Sequence, residues 1–202
     1  MSNGKWDHRY DRPDYLFGTE PSLFLRNHAH LLKPGSDVLA IADGEGRNSI
    51  FMAQKGCQVV AMDSSAIGLE KARRLARENG VKVDFRQADL RAWQWEPATY
   101  DLVAAIFIQF ADPALRAEIF EGMKKTVKPG GIIMLHGYTP KQVLYGTGGP
   151  PDPEMMYTSA LLHQAFGDFE VIELNDYEAE LQEGPGHSGR SALIDLIARR
   201  PA

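Results

Sequence analysis

The chain has 202 residues, of which 44% are hydrophobic and 24% charged, and this composition suits one globular domain with a substantial core. Its net charge is -5 and charges of both signs are interspersed, which argues against a nucleic-acid partner. We predict a single domain over residues 1–202 that is soluble, cytoplasmic and without a membrane partner. This prediction rests on the single Cys57, on the lack of an apolar signal-peptide core and on the lack of a run of roughly 18 apolar residues.

The order of predicted elements is typical of a protein in which helices and strands alternate. A lead segment over residues 1–19 precedes a helical pattern over residues 20–32 and the turn Lys33-Pro34-Gly35. The pattern then predicts, in order, a strand from Val38, a helix after a glycine turn, a strand ending at Asp63, a helix over 65–79, a strand over 82–86, a strand over 100–107, a helix from Asp112 and a strand over 132–138. Lys128-Pro129-Gly130-Gly131 is expected to end the last of these helices.

The last third of the chain predicts a different arrangement. A loop rich in glycine and proline over residues 145–153 precedes a helix that ends at Phe166. Two strand-like runs follow, over residues 169–174 and 191–198, and an acidic loop joins them. Because no crossover helix separates these runs, we expect an antiparallel hairpin at the edge of the sheet.

The stretch VLAIADGEGRN, residues 38–48, reads as a strand that ends in a glycine turn and opens a helix. Ala42, Gly44 and Gly46 have little or no side chain, so the chain can turn tightly and a ligand can approach the main chain. The N-terminus of the following helix would then point at that ligand. This pattern favours a site for a nucleotide-bearing molecule.

Asp63 ends the next strand, 17 positions beyond Gly46. In a strand-turn-helix-strand unit, a carboxylate at this point can accept hydrogen bonds from ribose hydroxyls. An N-terminal cap of the following helix is the alternative for Asp63, although Ser64 and Ser65 could cap that helix without it.

Four features together resemble class I S-adenosylmethionine (SAM)-dependent methyltransferases: the DGEGRN turn, Asp63, the step Ala88-Asp89-Leu90 and the KPGG run. The opening WDHRYDRPDYLFGTEPSLFL and the GEGRN turn are most similar to small bacterial tellurite-resistance or thiopurine methyltransferase-like proteins. The resemblance implies an α/β, Rossmann-like fold: a three-layer αβα sandwich with a seven-stranded, mostly parallel sheet and an antiparallel last strand. It also implies methyl transfer from SAM to a small-molecule acceptor, with S-adenosylhomocysteine as product.

The resemblance also assigns roles to individual residues. It places Gly44 and Gly46 against the methionine part of SAM and Asp63 on the ribose. In the same way, Asp89 and Leu90 would meet the adenine and Ala105 and Ile106 would lie beneath the sulfonium. Arg47 would pair with the methionine carboxylate. The complete implied cofactor-binding set is Ala42, Asp43, Gly44, Gly46, Arg47, Asp63, Ser64, Asp89, Leu90, Ala105 and Ile106. The chain departs from the family in having Ala40 where an acidic residue is usual and Ala42 where glycine is usual; Asp43 is a candidate to compensate.

His136, Tyr138 and His187 are the residues that we expect to orient the acceptor, beside Phe107. The sequence indicates no strong general base and no metal site, and a thiolate, selenium or tellurium acceptor would need no base. We also expect the segment from Trp6 to Gly18 to act as a lid over the cofactor, with permanent packing on the sheet as the alternative.

Two other functions fit parts of the same pattern. A non-catalytic module that binds SAM or S-adenosylhomocysteine would need the same turn and Asp63. An NAD-dependent oxidoreductase would also use them, but Ser49 stands where its third glycine belongs, and the chain is too short for a second substrate domain. The sequence leaves the acceptor and the oligomeric state open.

Overall fold

The structure is a computed structural model that describes residues 4–202. The helices are α1 (Gly4–Tyr10), α2 (Leu23–Asn27), α3 (Arg47–Gln54), α4 (Ala66–Glu78), α5 (Pro113–Thr126) and α6 (Ser159–Phe166). The strands are β1 (Asp37–Ile41), β2 (Gln58–Asp63), β3 (Asp84–Gln87), β4 (Tyr100–Ile106), β5 (Val127–Tyr138), β6 (Glu170–Gln182) and β7 (Ser188–Arg199). Short 3-10 helices cover Ala29–Leu31, Pro140–Leu144 and Pro153–Met155.

The strand order β3-β2-β1-β4-β5-β7-β6 confirms the fold predicted from the sequence. β1 pairs parallel with β2, β2 with β3, and β4 with β5. β7 runs antiparallel to both β5 and β6, which gives the expected antiparallel last strand and edge hairpin. This is the mixed, mostly parallel sheet of a Rossmann-like class I methyltransferase fold.

The chain divides into two compact units: unit 1 comprises residues 1–93 and 183–186, and unit 2 comprises residues 94–182 and 187–202. In unit 1, the apolar side chains of β1 and β2 and one face of α4 are buried. In unit 2, β4, the second half of β5 and β7 are almost continuously buried. Such uninterrupted apolar burial is typical of strands that are covered on both faces.

Short polar side chains set where the long helices begin. Ser65 Oγ accepts a hydrogen bond from Gly68 N at the start of α4. Asp112 accepts one from Leu115 N at the start of α5, where Pro113 is the first helical residue. These caps satisfy backbone donors that a helix leaves unpaired at its first turn. Among residues 4–202, no helix combines the length and the apolar character needed to cross a bilayer.

The lead segment, for which no secondary structure was predicted, contains the helix Gly4–Tyr10. Three local predictions were wrong. The helix predicted over 20–32 is only Leu23–Asn27 followed by a 3-10 turn. The KPGG run lies within β5, because the chain passes from α5 directly into the strand. The acidic residues expected in a loop belong to β6, which extends to Gln182 and pairs with β7 along its length.

Candidate active site

The glycine turn after β1 belongs to unit 1, and its residues 42, 44 and 46 have positive φ angles. Ala42 has a φ of 47° and Gly44 a φ of 61°, and Gly46 caps α3 with a φ of 91°. A Cβ on Gly46 would lie 2.7 Å from the Cβ of Ala72 in α4. Glycine is therefore required at position 46 for both backbone angle and helix packing, whereas Ala42 adopts a left-handed conformation that glycine would adopt without strain.

Asp63 lies at the end of β2, as predicted, and its carboxylate faces the turn. Its two oxygens accept hydrogen bonds from Gly44 N and Ser65 N, each at 2.8 Å. Burial raises the pKa of Asp63 above its ordinary value, and these backbone donors oppose that shift. A carboxylate offers about four acceptor positions, so Asp63 retains capacity for further donors such as the hydroxyls of a ribose.

Asp43 lies in the glycine turn, and its carboxylate is hydrogen-bonded to α3. Its carboxylate accepts hydrogen bonds from Ser49 Oγ at 2.5 Å and from Ser49 N at 3.3 Å in α3. Burial nevertheless raises the pKa of Asp43 to about 7. Asp43 therefore connects the turn to the first residues of α3 by hydrogen bonds. That Asp43 compensates for the acidic residue usual at the position of Ala40 stays a prediction.

Tyr10, the last residue of α1, packs directly on the glycine turn. A Cβ on Gly44 would lie 2.5 Å from Tyr10 Oη, and one on Gly68 of α4 would lie 3.0 Å from Tyr10 Cδ2. Burial and the nearby carboxylates of Asp63 and Glu45 raise the pKa of Tyr10 well above its ordinary value, so its hydroxyl stays a donor. Tyr10 lies within the segment predicted to be a lid, but its contact with the glycine turn was not predicted.

A buried lysine fastens the segment that follows Tyr10. Lys71 Nζ donates to the backbone carbonyls of Tyr10, Arg12 and Asp14 and forms an ion pair with Glu45 of the glycine turn. Glu45 in turn accepts a hydrogen bond from Leu16 N at 2.8 Å. We call this set the Lys71 clamp. The lid role of the segment from Trp6 to Gly18 stays a prediction, and residues 1–3 of the lead segment lie outside the described residues.

Arg47 is engaged with a protein carboxylate. Its Nη2 lies 2.7 Å from Glu183 Oε2, and both side chains are more than nine-tenths buried. Glu183 also accepts a hydrogen bond from Leu23 N. The predicted pairing of Arg47 with the methionine carboxylate stays a prediction.

The other predicted cofactor residues of unit 1 lie near the ends of β2 and β3. Leu90 is buried, and Asp89 is more exposed and accepts a hydrogen bond from Arg91 N. Ser64 follows Asp63 directly, and its carbonyl accepts a hydrogen bond from Gln87. Their contacts with adenine and ribose stay predictions.

Unit 2 brings the three predicted acceptor residues together with Phe107. The ring of Phe107 lies 4.5 Å from that of His136, 4.9 Å from Tyr138 and 4.1 Å from His187, between centroids. We call these four side chains the ring cluster. Ala105 and Ile106, which end β4 just before Phe107, are buried.

Two features of the ring cluster were not predicted. Phe107 has a φ of 56°, a conformation that is rare and strained for a bulky residue. His136 Nδ1 lies 2.5 Å from Oδ1 of Asp195 on β7, and both residues are buried. Sequence reasoning missed Asp195 because it is 59 positions from His136 and becomes its neighbour only through the antiparallel pairing of β5 with β7.

The sequence and the fold of this chain are each similar to those of known proteins. Residues 38–131 match a family described as methyltransferase domain. Ubiquinone biosynthesis O-methyltransferase of Stutzerimonas stutzeri is 33% identical over 107 residues, which are 52% of this chain and 45% of that protein. The chain thus spans about half the length of the curated relatives it matches.

Solved structures share the fold at low sequence identity. A SAM-dependent methyltransferase from Methanosarcina mazei has a TM-score of 0.71 at 18% identity, covering 90% of this chain and 99% of its own. TehB from Haemophilus influenzae has a TM-score of 0.70 at 20% identity, covering 87% of this chain and 61% of its own. These likenesses show the fold.

Proposed function

Because residues 38–131 match a family described as methyltransferase domain and the fold is shared with a SAM-dependent methyltransferase, we propose that this chain transfers a methyl group from SAM to a small-molecule acceptor. The observation that carries the proposal is the arrangement of Asp63 at the end of β2 beside the glycine turn that opens α3. A buried carboxylate next to a helix N-terminus and a bare backbone suits a ligand with adjacent hydroxyls.

The residues of unit 1 fit such a donor. Asp63 has acceptor capacity beyond its bonds to Gly44 N and Ser65 N. The sulfonium of bound SAM supplies an activated methyl group, so the protein mainly has to position the acceptor and exclude water. Positioning alone supplies up to roughly 7–11 kcal/mol in favourable cases.

The class of acceptor has two candidates. The rings of Phe107, His136, Tyr138 and His187 make a largely apolar surface, which would desolvate a thiolate, selenium or tellurium nucleophile, and such nucleophiles need no base. A hydroxyl acceptor is the second candidate, because the first curated relatives are named O-methyltransferases. The net charge of -5 disfavours large polyanions for either class.

A panel assay tests the proposed function. Release of S-adenosylhomocysteine would be followed with small thiols, selenite, tellurite, thiopurines, phenols and catechols, in parallel with calorimetric titration of SAM and NAD. We expect SAM to bind and at least one acceptor class to be methylated. SAM binding without turnover on any acceptor would instead indicate a non-catalytic binding module, and binding of NAD but not SAM would indicate an oxidoreductase.

A further inference from the structure

Tyr10 brings a hydroxyl group without a hydrogen-bond partner to the glycine turn of unit 1. The residue is only 4% exposed, and within residues 4–202 its Oη makes no hydrogen bond. The same oxygen would lie 2.5 Å from a Cβ on Gly44, so the hydroxyl lies directly against the turn. A buried hydroxyl that lacks a partner lowers the stability of a folded protein. Such a group calls for an explanation, and a ligand that supplies the missing partner is one.

The hydroxyl oxygen of Tyr10 is within reach of a ligand. Some polar atoms in the part of the chain that the structure describes are fully enclosed and lack a partner, such as Trp93 Nε1, but Tyr10 Oη is not among them. Burial and the charges of Asp63 and Glu45 raise the pKa of Tyr10 well above its ordinary value. The hydroxyl therefore keeps its proton, and it can both donate and accept a hydrogen bond.

Three contacts within unit 1 hold Tyr10 in position. Trp6 stacks on its ring, with 5.5 Å between the ring centroids. Asp7, also on α1, accepts a hydrogen bond at 2.6 Å from Ser65 Oγ and so joins α1 to the start of α4. The Tyr10 carbonyl accepts a hydrogen bond from Lys71 Nζ. Because the protein itself positions the hydroxyl, a ligand that binds to it loses less affinity to the ordering of side chains.

The strand order of unit 1 indicates which part of SAM would reach Tyr10. The parallel strands β3, β2 and β1 lie side by side in that order, so their carboxyl ends share one edge of the sheet. Asp89 and Leu90, which are predicted to contact the adenine, follow β3, and Asp63, which suits the ribose, ends β2. Gly44 follows β1. A SAM molecule that spans these three positions would therefore have its α-amino-acid end at the turn, beside the Tyr10 hydroxyl.

We propose that the Tyr10 hydroxyl binds the α-amino-acid end of SAM through a direct hydrogen bond and makes the site specific for ligands that carry this end. The inference rests on the proposed methyl transfer from SAM. The ammonium of that end can donate to Oη, and its carboxylate can accept from the hydroxyl. Either partner is charged, which makes the bond stronger than one between neutral groups. An adenosine ligand without the amino acid leaves the hydroxyl unsatisfied.

The first test uses two adenosine ligands that differ only in the group on the sulfur. S-adenosylhomocysteine carries the amino-acid end there, and 5′-methylthioadenosine carries a methyl group. In calorimetric titration, we expect Tyr10→Phe to weaken binding of S-adenosylhomocysteine by about 10- to 100-fold. Binding of 5′-methylthioadenosine should change by no more than about twofold. Competition against S-adenosylhomocysteine measures the second ligand if its binding is too weak for direct titration.

Tyr15→Phe is the matched control, because it removes a tyrosine hydroxyl from the same segment. That hydroxyl contacts the Lys71 carbonyl and the Arg74 guanidinium of α4 instead of the glycine turn. We expect Tyr15→Phe to bind both ligands as wild type does.

Thermal unfolding separates a binding role of Tyr10 from a structural one. Tyr10→Phe keeps the buried ring and removes only the unsatisfied hydroxyl, so the melting temperature of the ligand-free protein should not fall. S-adenosylhomocysteine should raise the melting temperature less in Tyr10→Phe than in wild type, because its affinity is lower. A lower melting temperature of the ligand-free variant, or a variant that does not fold, would show a structural role and overturn the proposal.

The binding data distinguish failure of this proposal from failure of the proposed function. Unchanged affinity of Tyr10→Phe for S-adenosylhomocysteine, or an equal loss of affinity for both ligands, would overturn the assignment of Tyr10 and leave methyl transfer standing. If wild type bound neither SAM nor S-adenosylhomocysteine, the proposed function itself would be refuted, and the role of Tyr10 with it.

Discussion

The hydroxyl of Tyr10 lies so close to Gly44 that a Cβ at position 44 would be 2.5 Å from Tyr10 Oη. Two constraints therefore act on one glycine: its φ of 61° and the ring above it. Because Tyr10 belongs to α1 and Gly44 to the turn after β1, this contact joins the lead segment to the residues predicted to bind the cofactor.

Gly44→Ala should destabilise the fold by roughly 1–3 kcal/mol, since alanine is strained at this φ and its methyl meets Tyr10. Tyr10→Phe removes the hydroxyl that lies nearest, so adding it to Gly44→Ala should recover part of the loss. Urea unfolding of the two single variants and the double variant measures this coupling. If the changes in the free energy of unfolding of the single variants simply add in the double variant, there is no steric contact between the two residues.

Ala42→Gly should leave stability unchanged or raise it by up to about 1 kcal/mol. Glycine removes the strain at a φ of 47°, worth roughly 1–2 kcal/mol, and loses part of that gain through its larger entropy in the unfolded chain. Ala40→Gly, in the buried strand β1, is the matched control and should destabilise. If both substitutions destabilised equally in urea unfolding, Ala42 would not be strained.

Lys71→Met should destabilise unit 1 by about 3–5 kcal/mol, because it leaves the Glu45 carboxylate buried without its cation. Amide hydrogen exchange should speed up at residues 10–16, whose carbonyls and N–H groups the Lys71 clamp holds. The double variant Lys71→Met/Glu45→Gln should lose less. Lys55→Met, at the exposed end of α3, is the control. Equal amide exchange at residues 10–16 in all variants would show that Lys71 does not stabilise this segment.

Asp43 should make stability depend on pH. Its pKa is about 7 in the folded chain and 3.8 ordinarily, so the native state holds a proton that the unfolded state releases. Stability attributable to Asp43 is then complete below about pH 3.8 and falls as the pH rises toward 7. Asp43→Asn should flatten this part of the curve of unfolding free energy against pH. An unaltered slope between these values would mean that Asp43 titrates normally.

The sequence predicted the alternating elements and the ends of β2 and α4 because periodicity and caps are local signals. Its errors arose where distant parts of the chain decide the structure. Glu178 and Glu180 are residues of a type common in loops, yet they lie in the edge strand β6. Backbone hydrogen bonds with β7 hold this strand in the sheet, and its charged side chains face solvent. The partner of His136 was likewise invisible, because only the register of β5 with β7 brings Asp195 to it.

Resemblance and local chemistry indicate the same residues at the end of β2 and in the glycine turn. Asp63 and the glycine turn lie together as expected. The ion pair of Arg47 with Glu183 was not predicted, because the two residues are 136 positions apart and no local pattern indicates the contact. The contact of Tyr10 with the glycine turn was missed for the same reason, since an aromatic residue in a lead segment gives no sign of the glycine on which it packs.

Calorimetric titration of SAM into wild type and Asp63→Ala tests the central claim, that this chain holds SAM through the carboxylate at the end of β2. Loss of charged hydrogen bonds to the ribose should cost about 1.5–3 kcal/mol, which is a decrease in affinity of roughly 10- to 150-fold. Asp84→Ala, on the exposed side of β3, should bind SAM as wild type does, and thermal unfolding verifies that each variant is folded. Equal SAM affinity in a folded Asp63→Ala protein, or no SAM binding by wild type, would contradict the account.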